Sequence, residues 1–183
     1  MLESIIDSTF AEGTKNPIFF NFTLQQKQNY LVLLDSLGVE YIELICLQDI
    51  HDLIQFKNTS GLNIKFIICI NNSDVDIEKV IQLQYIDVIC IKIICIDNLT
   101  GDVIDNVRDN LKLLRSKLPK VQLQFCISDS FDIETNFLSS LYFNIDDYVD
   151  CISLEDTRGN IVHSDIEKMM PEAIASVHDL DPK

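Results

Sequence analysis

Apolar and polar positions along this chain alternate in blocks that recur every ~25–30 residues, the length of a strand followed by a helix. Ser4–Ser8 reads as a short buried strand. Thr23 then opens a helix, with Gln26 completing a capping box. Leu24, Lys27, Tyr30, Leu31, Leu34 and Leu37 form its inward stripe, the Lys27 stem included, and Gly38 is a fitting stop. Glu40–Ile45 is a second strand, Asp49–Thr59 a helix ending near Gly61, and Asn63–Cys69 a third strand. Ser73 caps a helix running to Gln84, and Asp87–Ile94 is a fourth strand. Asn98–Leu118 is a long helix stopped by Pro119, followed by a fifth strand at Val121–Ile127. Ile133–Phe143 is helical, Tyr148–Leu154 is a sixth strand, and Ser164–Val177 is a last helix weakened by Pro171.

Strands that are apolar nearly throughout, such as Ile64–Ile70 and Val88–Ile94, belong in a parallel sheet covered on both faces. Six βα units in succession favour a barrel or a doubly wound sheet, and periodicity does not choose between them. No linker, low-complexity tract or second domain is visible, so residues 1–183 read as one domain.

Composition narrows the function classes. With 14 Lys and Arg against 29 Asp and Glu, the net charge of −15 argues against nucleic acid or an anionic membrane as a direct ligand. A solvated acidic exterior is the plain reading. The longest apolar stretch, Ile86 to Ile96, is interrupted by Asp87 and Lys92 and falls short of the ~20 residues a membrane helix needs. Cys46, Cys69, Cys90, Cys95, Cys126 and Cys151 sit inside apolar runs, with no C-x-x-C pair and no histidine at zinc-ligand spacing. They read as buried reduced thiols, which favours a reducing compartment. A strand starting almost at Met1 leaves no room for a signal or transit segment. The expectation is a soluble, intracellular protein of cytoplasm or nucleus.

Four segments carry a resemblance. Ile5-Ile6-Asp7-Ser8-Thr9-Phe10-Ala11-Glu12-Gly13 is similar to the opening motif of the homocitrate synthase, isopropylmalate synthase and HMG-CoA lyase family, where the end of strand one reads D-S/T-T-L-R-E-G. The segment from Leu33 through Asp35, Gly38 and Tyr41 to Leu44 resembles that family's "LLDELGVDYIEL". Ser128-Asp129-Ser130-Phe131 resembles its strand-five "SEDSF", and Asp156-Thr157-Arg158-Gly159 its strand-six "DTVG". The four occur in family order and span residues 4 to 160, with homocitrate synthase the closest flavour. The resemblance implies an incomplete TIM-type (β/α) barrel of six βα units with parallel strands, equivalent to the front of the family's catalytic domain.

It also implies a chemistry and its loss. The family uses a divalent metal to polarise a 2-oxo acid. Carried over residue by residue, Glu12 matches an acidic metal ligand, Thr157 a substrate-carboxylate contact, and Asp7 a supporting acid. The catalytic arginine is replaced by Ala11, and the Gln after the motif's Gly by Lys15. The strand-three "HxR" aligns with Ile68-Cys69-Ile70, the strand-five Glu with Ser128, and an upstream Arg with Gln124. Strand four, where the family keeps small residues, continues as Ile91-Lys92-Ile93-Ile94. The strand-seven H-x-H-N-D motif is absent; His51, His163 and His178 stand alone, the last reading as a tail residue. Removing one well-placed electrostatic stabiliser costs ~10²–10³ in rate, so these losses together leave little catalysis. The plain alternative for Glu12-Gly13 is a solvated loop after strand one.

Other acids read as structural. Asp146-Asp147 and Asp74–Glu78 fit loops or helix N-termini better than a calcium loop. Asp129, Glu155 and Asp156 are different: they are expected near the C-terminal ends of strands five and six, where barrel sites lie, as a cluster able to bind a cation weakly. The expectation is a degenerate, non-catalytic protein that needs no cofactor and binds a full-length homologue, another partner or itself through open barrel edges. The alternative is a metal-dependent acyl-CoA:2-oxo acid acyltransferase of the homocitrate or isopropylmalate synthase type, or a related lyase, using a divalent metal.

Overall fold

The structure is a computed structural model describing residues 5–14, 22–45, 50–83, 87–93, 101–130, 133, 135–156, 159, 161–162, 164 and 167, with backbone alone for 12–14, 74–75, 88–93 and 135. The chain divides into two compact units, residues 1–90 and 91–183. Throughout, it is an α/β fold whose paired strands are parallel.

The first unit runs β1 (Ile6–Asp7), α1 (Thr9–Thr14), α2 (Leu24–Ser36), β2 (Tyr41–Leu44), α3 (Ile50–Ser60), β3 (Lys65–Asn71) and α4 (Asp74–Ile81). β1 pairs with β2 at Ile6 opposite Tyr41, and β2 with β3 at Tyr41 opposite Lys65 through Leu44 opposite Ile68. Strand β4 (Val88–Ile93) crosses the division between the units.

Local chemistry explains the α2 boundaries. The Thr23 hydroxyl accepts the Gln26 N–H at 3.3 Å, and the Gln26 side-chain oxygen accepts the Thr23 N–H at 2.9 Å, so the expected capping box is present. At the other end Gly38 takes a φ of +77°, a left-handed conformation that glycine adopts without a Cβ penalty. Leu31 and Leu34 are buried as the stripe requires. Leu37 is not: it is the C-cap, already off the helical stripe, and is 68% exposed.

The core of this unit sits on β3. Phe66, Ile67, Ile68, Cys69 and Ile70 are all buried, and since successive side chains point to opposite faces, both faces of the strand are covered. That covering is the one expected of a run without polar alternation. Ile50, Leu53 and Ile54 of α3 and Ile77 and Val80 of α4 are also buried. Burial of each such side chain contributes about 1.5–3 kcal/mol. β1 departs from expectation. It is only two residues long; Ile6 and the preceding Ile5 are 47% and 62% exposed while Asp7 is half-buried, so it is not a buried strand.

The second unit runs α5 (Gly101–Lys117), β5 (Gln122–Ile127), α6 (Thr135–Ile145), a single 3-10 turn (Asp146–Tyr148) and β6 (Cys151–Leu154). β5 and β6 pair from Gln124 opposite Cys151 to Ile127 opposite Leu154. Val107, Leu111 and Leu114 make the buried stripe of α5, and Leu138, Leu141, Tyr142 and Ile145 that of α6. Asp146 and Asp147 lie exposed in the first turn of the 3-10 segment, as acids at a helix start do. That segment takes Tyr148 out of the expected sixth strand, which begins only at Cys151. The helix expected at Ser164–Val177 falls almost wholly outside the described residues.

Candidate functional site

Each unit gathers polar side chains at the C-terminal end of a strand. In the first unit, Asp7 ends β1 and holds the start of α1. Its Oδ1 accepts the Thr9 N–H at 3.1 Å, and its Oδ2 accepts the Thr9 hydroxyl at 2.9 Å. The Tyr30 hydroxyl of α2 reaches both Asp7 Oδ2 and Thr9 Oγ1, each at 3.1 Å. Asp7 is thus occupied in fastening α1 and α2 to β1. Beside it the Phe10 ring meets Tyr30 at 5.2 Å and Phe22 edge-on at 6.0 Å.

The segment Thr9–Thr14 is helical, which corrects the loop alternative for Glu12-Gly13: the Asp7 carboxylate accepts the Thr9 N–H at the helix start and favours a turn there. One turn of helix also decides where Ala11 goes. With Phe10 it turns inward, and its exposure is 0%. The backbone of Glu12 is in α1, and its side chain lies outside the described residues. Lys15 and Thr157 lie outside them entirely, as do His163 and His178; His51 is exposed on α3.

In the second unit, Leu123, Phe125 and Ile127 share one face of β5 and are buried, while Gln124, Cys126 and Ser128 share the other, where Cys126 and Ser128 are buried as well. The β5–β6 register, continued one step, sets Ser128 opposite Glu155. The Ser128 hydroxyl donates to Glu155 Oε2 at 3.0 Å, and the Cys126 thiol lies 3.7 Å from the same oxygen. Further down, the Gln124 amide donates to the Ser153 hydroxyl.

Asp129 follows β5 with a φ of +51°, a conformation that Asp tolerates better than most residues, and it turns the chain toward Glu155. There Ser130, 1% exposed, donates its N–H to the Glu155 carbonyl at 3.1 Å and accepts the Glu155 N–H at 3.0 Å. Glu155 is therefore held at its backbone by Ser130 and at its carboxylate by Ser128 and Cys126. Asp156, next to it, accepts the Ile161 N–H at 2.9 Å. The sequence placed Asp129, Glu155 and Asp156 at these strand ends, but not the serines that lock Glu155. The period-2 alternation of β5 was the signal for them.

The thiols divide. Cys69 and Cys126 are buried, whereas Cys151 is exposed, because it starts β6, a strand with no buried residue. Partial desolvation by its neighbours, and then the Asp150 charge, push the Cys151 thiol up from its ordinary value even so. Among the described residues no group of three or more His, Cys, Asp or Glu side chains is placed to hold a metal ion. No helix among them is long and apolar enough to cross a membrane.

Tyr142 of α6 is fully buried, and its hydroxyl has no hydrogen-bond partner among the described residues. Burial, helped by Cys126, pushes this phenol up to about 12, so it is neutral at pH 7. Tyr142→Phe is expected to leave stability unchanged or raise it by about 1 kcal/mol, because a satisfied hydroxyl contributes and an orphaned one costs. Urea unfolding checks this, and a loss above about 1 kcal/mol would assign the hydroxyl a partner outside the described residues.

No family model matches the chain, and no curated protein sequence matches it.

Proposed function

We propose that this chain is a non-catalytic relative of the homocitrate-synthase-type barrels, carrying the front six βα units of such a barrel and acting by binding a protein partner or a full-length homologue. The observation that carries this reading is Ala11. It stands where the resemblance puts the catalytic arginine, and its side chain is packed away from solvent. Two further positions support it. Gln124 and Ser128, aligned with a lost Arg and Glu, hydrogen-bond to Ser153 and Glu155. An electrostatic catalyst instead needs donors aimed at the place where charge develops in a substrate. β1, with Ile6 exposed and paired with β2 and no other strand among the described residues, supports association through a strand edge.

The test measures activity and association on the same preparation. The expected result is no CoA release from acetyl-CoA and 2-oxoglutarate with a divalent metal, and a defined complex with a homologue, another partner or a second copy, by light scattering and affinity capture. Metal-dependent CoA release abolished by Glu12→Ala would establish the acyltransferase instead. A stable monomer that captured no homologue would remove the basis for the binding role.

A further inference from the structure

Among the described residues, both units contain the same three-part joint. In the first, Lys57 in the last turn of α3 donates to Asp87 Oδ2 at 2.7 Å, and that oxygen also accepts the Phe66 N–H at 3.0 Å. In the second, Arg115 in the last turn of α5 donates to Asp150 Oδ2 at 2.7 Å, and that oxygen also accepts the Leu123 N–H at 2.8 Å. The positions correspond one for one. Phe66 and Leu123 are each the second residue of their strand, and Asp87 and Asp150 each stand immediately before the next strand.

The chemistry explains why these parts recur. A strand whose neighbour begins late leaves a main-chain N–H at its start without a ladder partner, and a buried orphan of that kind is costly. A carboxylate one residue ahead of the next strand substitutes for the missing carbonyl. A cation from the preceding helix then fixes that carboxylate in place, and ion-paired acceptors make the stronger hydrogen bonds. Individual details differ around this common centre. Lys57 Nζ lies 5.2 Å over the Phe66 ring, whereas Arg115 also donates to the Tyr148 and Val121 carbonyls. At Asp150, burial raises the carboxyl, but the hydrogen bonds from Arg115 and Leu123 and the guanidinium charge outweigh it and hold the group below its ordinary value.

We propose that the fold carries one latch in duplicate, helix cation to aspartate to strand amide, and that each copy closes its own unit and opens without the other. Every member of each latch lies inside one unit.

Amide hydrogen exchange on the whole protein, followed at Phe66 and Leu123, tests it. Asp150→Ala should speed exchange at Leu123 by about ten- to a hundredfold and leave Phe66 within about twofold, and Asp87→Ala should do the reverse. Acceleration of both amides by either substitution, or of neither, would overturn the proposal. Should an alanine variant fail to fold, Asp150→Asn and Asp87→Asn keep an oxygen for the amide while dropping the ion pair. They should give a smaller acceleration confined to the same single amide, and an equal effect on both amides would again overturn it.

Discussion

Ala11→Arg is expected to destabilise the first unit by on the order of 3–5 kcal/mol, or to prevent its folding. Ala11 has no exposed surface, beside the buried Phe10. A guanidinium at that position either enters a site where its charge is uncompensated, or forces α1 off the strand end that Asp7 and Thr9 hold. Both routes cost several kcal/mol. Ala11→Gly, which changes volume little, should cost only about 1 kcal/mol through helix propensity. Urea unfolding of the two variants separates these outcomes. If Ala11→Arg kept the wild-type midpoint, the side chain would have reached solvent or a site, and Ala11 would no longer support the proposed non-catalytic role. An arginine at position 11 is thus expected to break the fold.

Asp87→Ala is expected to cost about 2–4 kcal/mol, far more than an ordinary surface ion pair. The difference lies in burial. The Lys57 side chain is only 12% exposed, so losing its carboxylate leaves a largely desolvated ammonium, and the Phe66 N–H loses its acceptor at the same time. Lys57→Met should cost less, because the aspartate that remains is more exposed and still accepts the Phe66 N–H. Asp87→Asn should fall between them. The exposed Lys65–Glu40 pair is the internal comparison: both side chains are more than 40% exposed, and Glu40→Gln should cost under about 1 kcal/mol. Denaturation midpoints for this set check the order. A cost below about 1 kcal/mol for Asp87→Ala would mean that the latch is no more than a surface ion pair.

Much of the architecture was legible in the order of residues. The α2 start at Thr23 and Gln26, its stop at Gly38, the cap at Ser73 and the double-sided burial of β3 all depend on local groups or on continuous apolar runs. Such signals are complete within a few residues. What escaped depended on neighbours distant in sequence. The exposure of Ile5 and Ile6 depends on whether anything covers β1, and that of Cys151 on what packs over β6. The clamp on Glu155 links residues on two strands, and the latches join a helix end, a strand start and an aspartate 21 or more positions beyond the amide. Even α1 depended on such a contact, since Asp7 and Tyr30 together fasten the turn that a loop would otherwise occupy.

Hydrophobic periodicity and capping chemistry therefore determined that this chain alternates strands and helices, and where most of them begin. They act through hydrogen bonds and side-chain spacing within a turn or a strand. Packing in three dimensions determined which of those elements are covered, that Ala11 faces a core, and that Asp87 and Asp150 serve amides in other strands. Burial and shared acceptors are properties of atoms brought together from separate parts of the chain, and no local pattern encodes them.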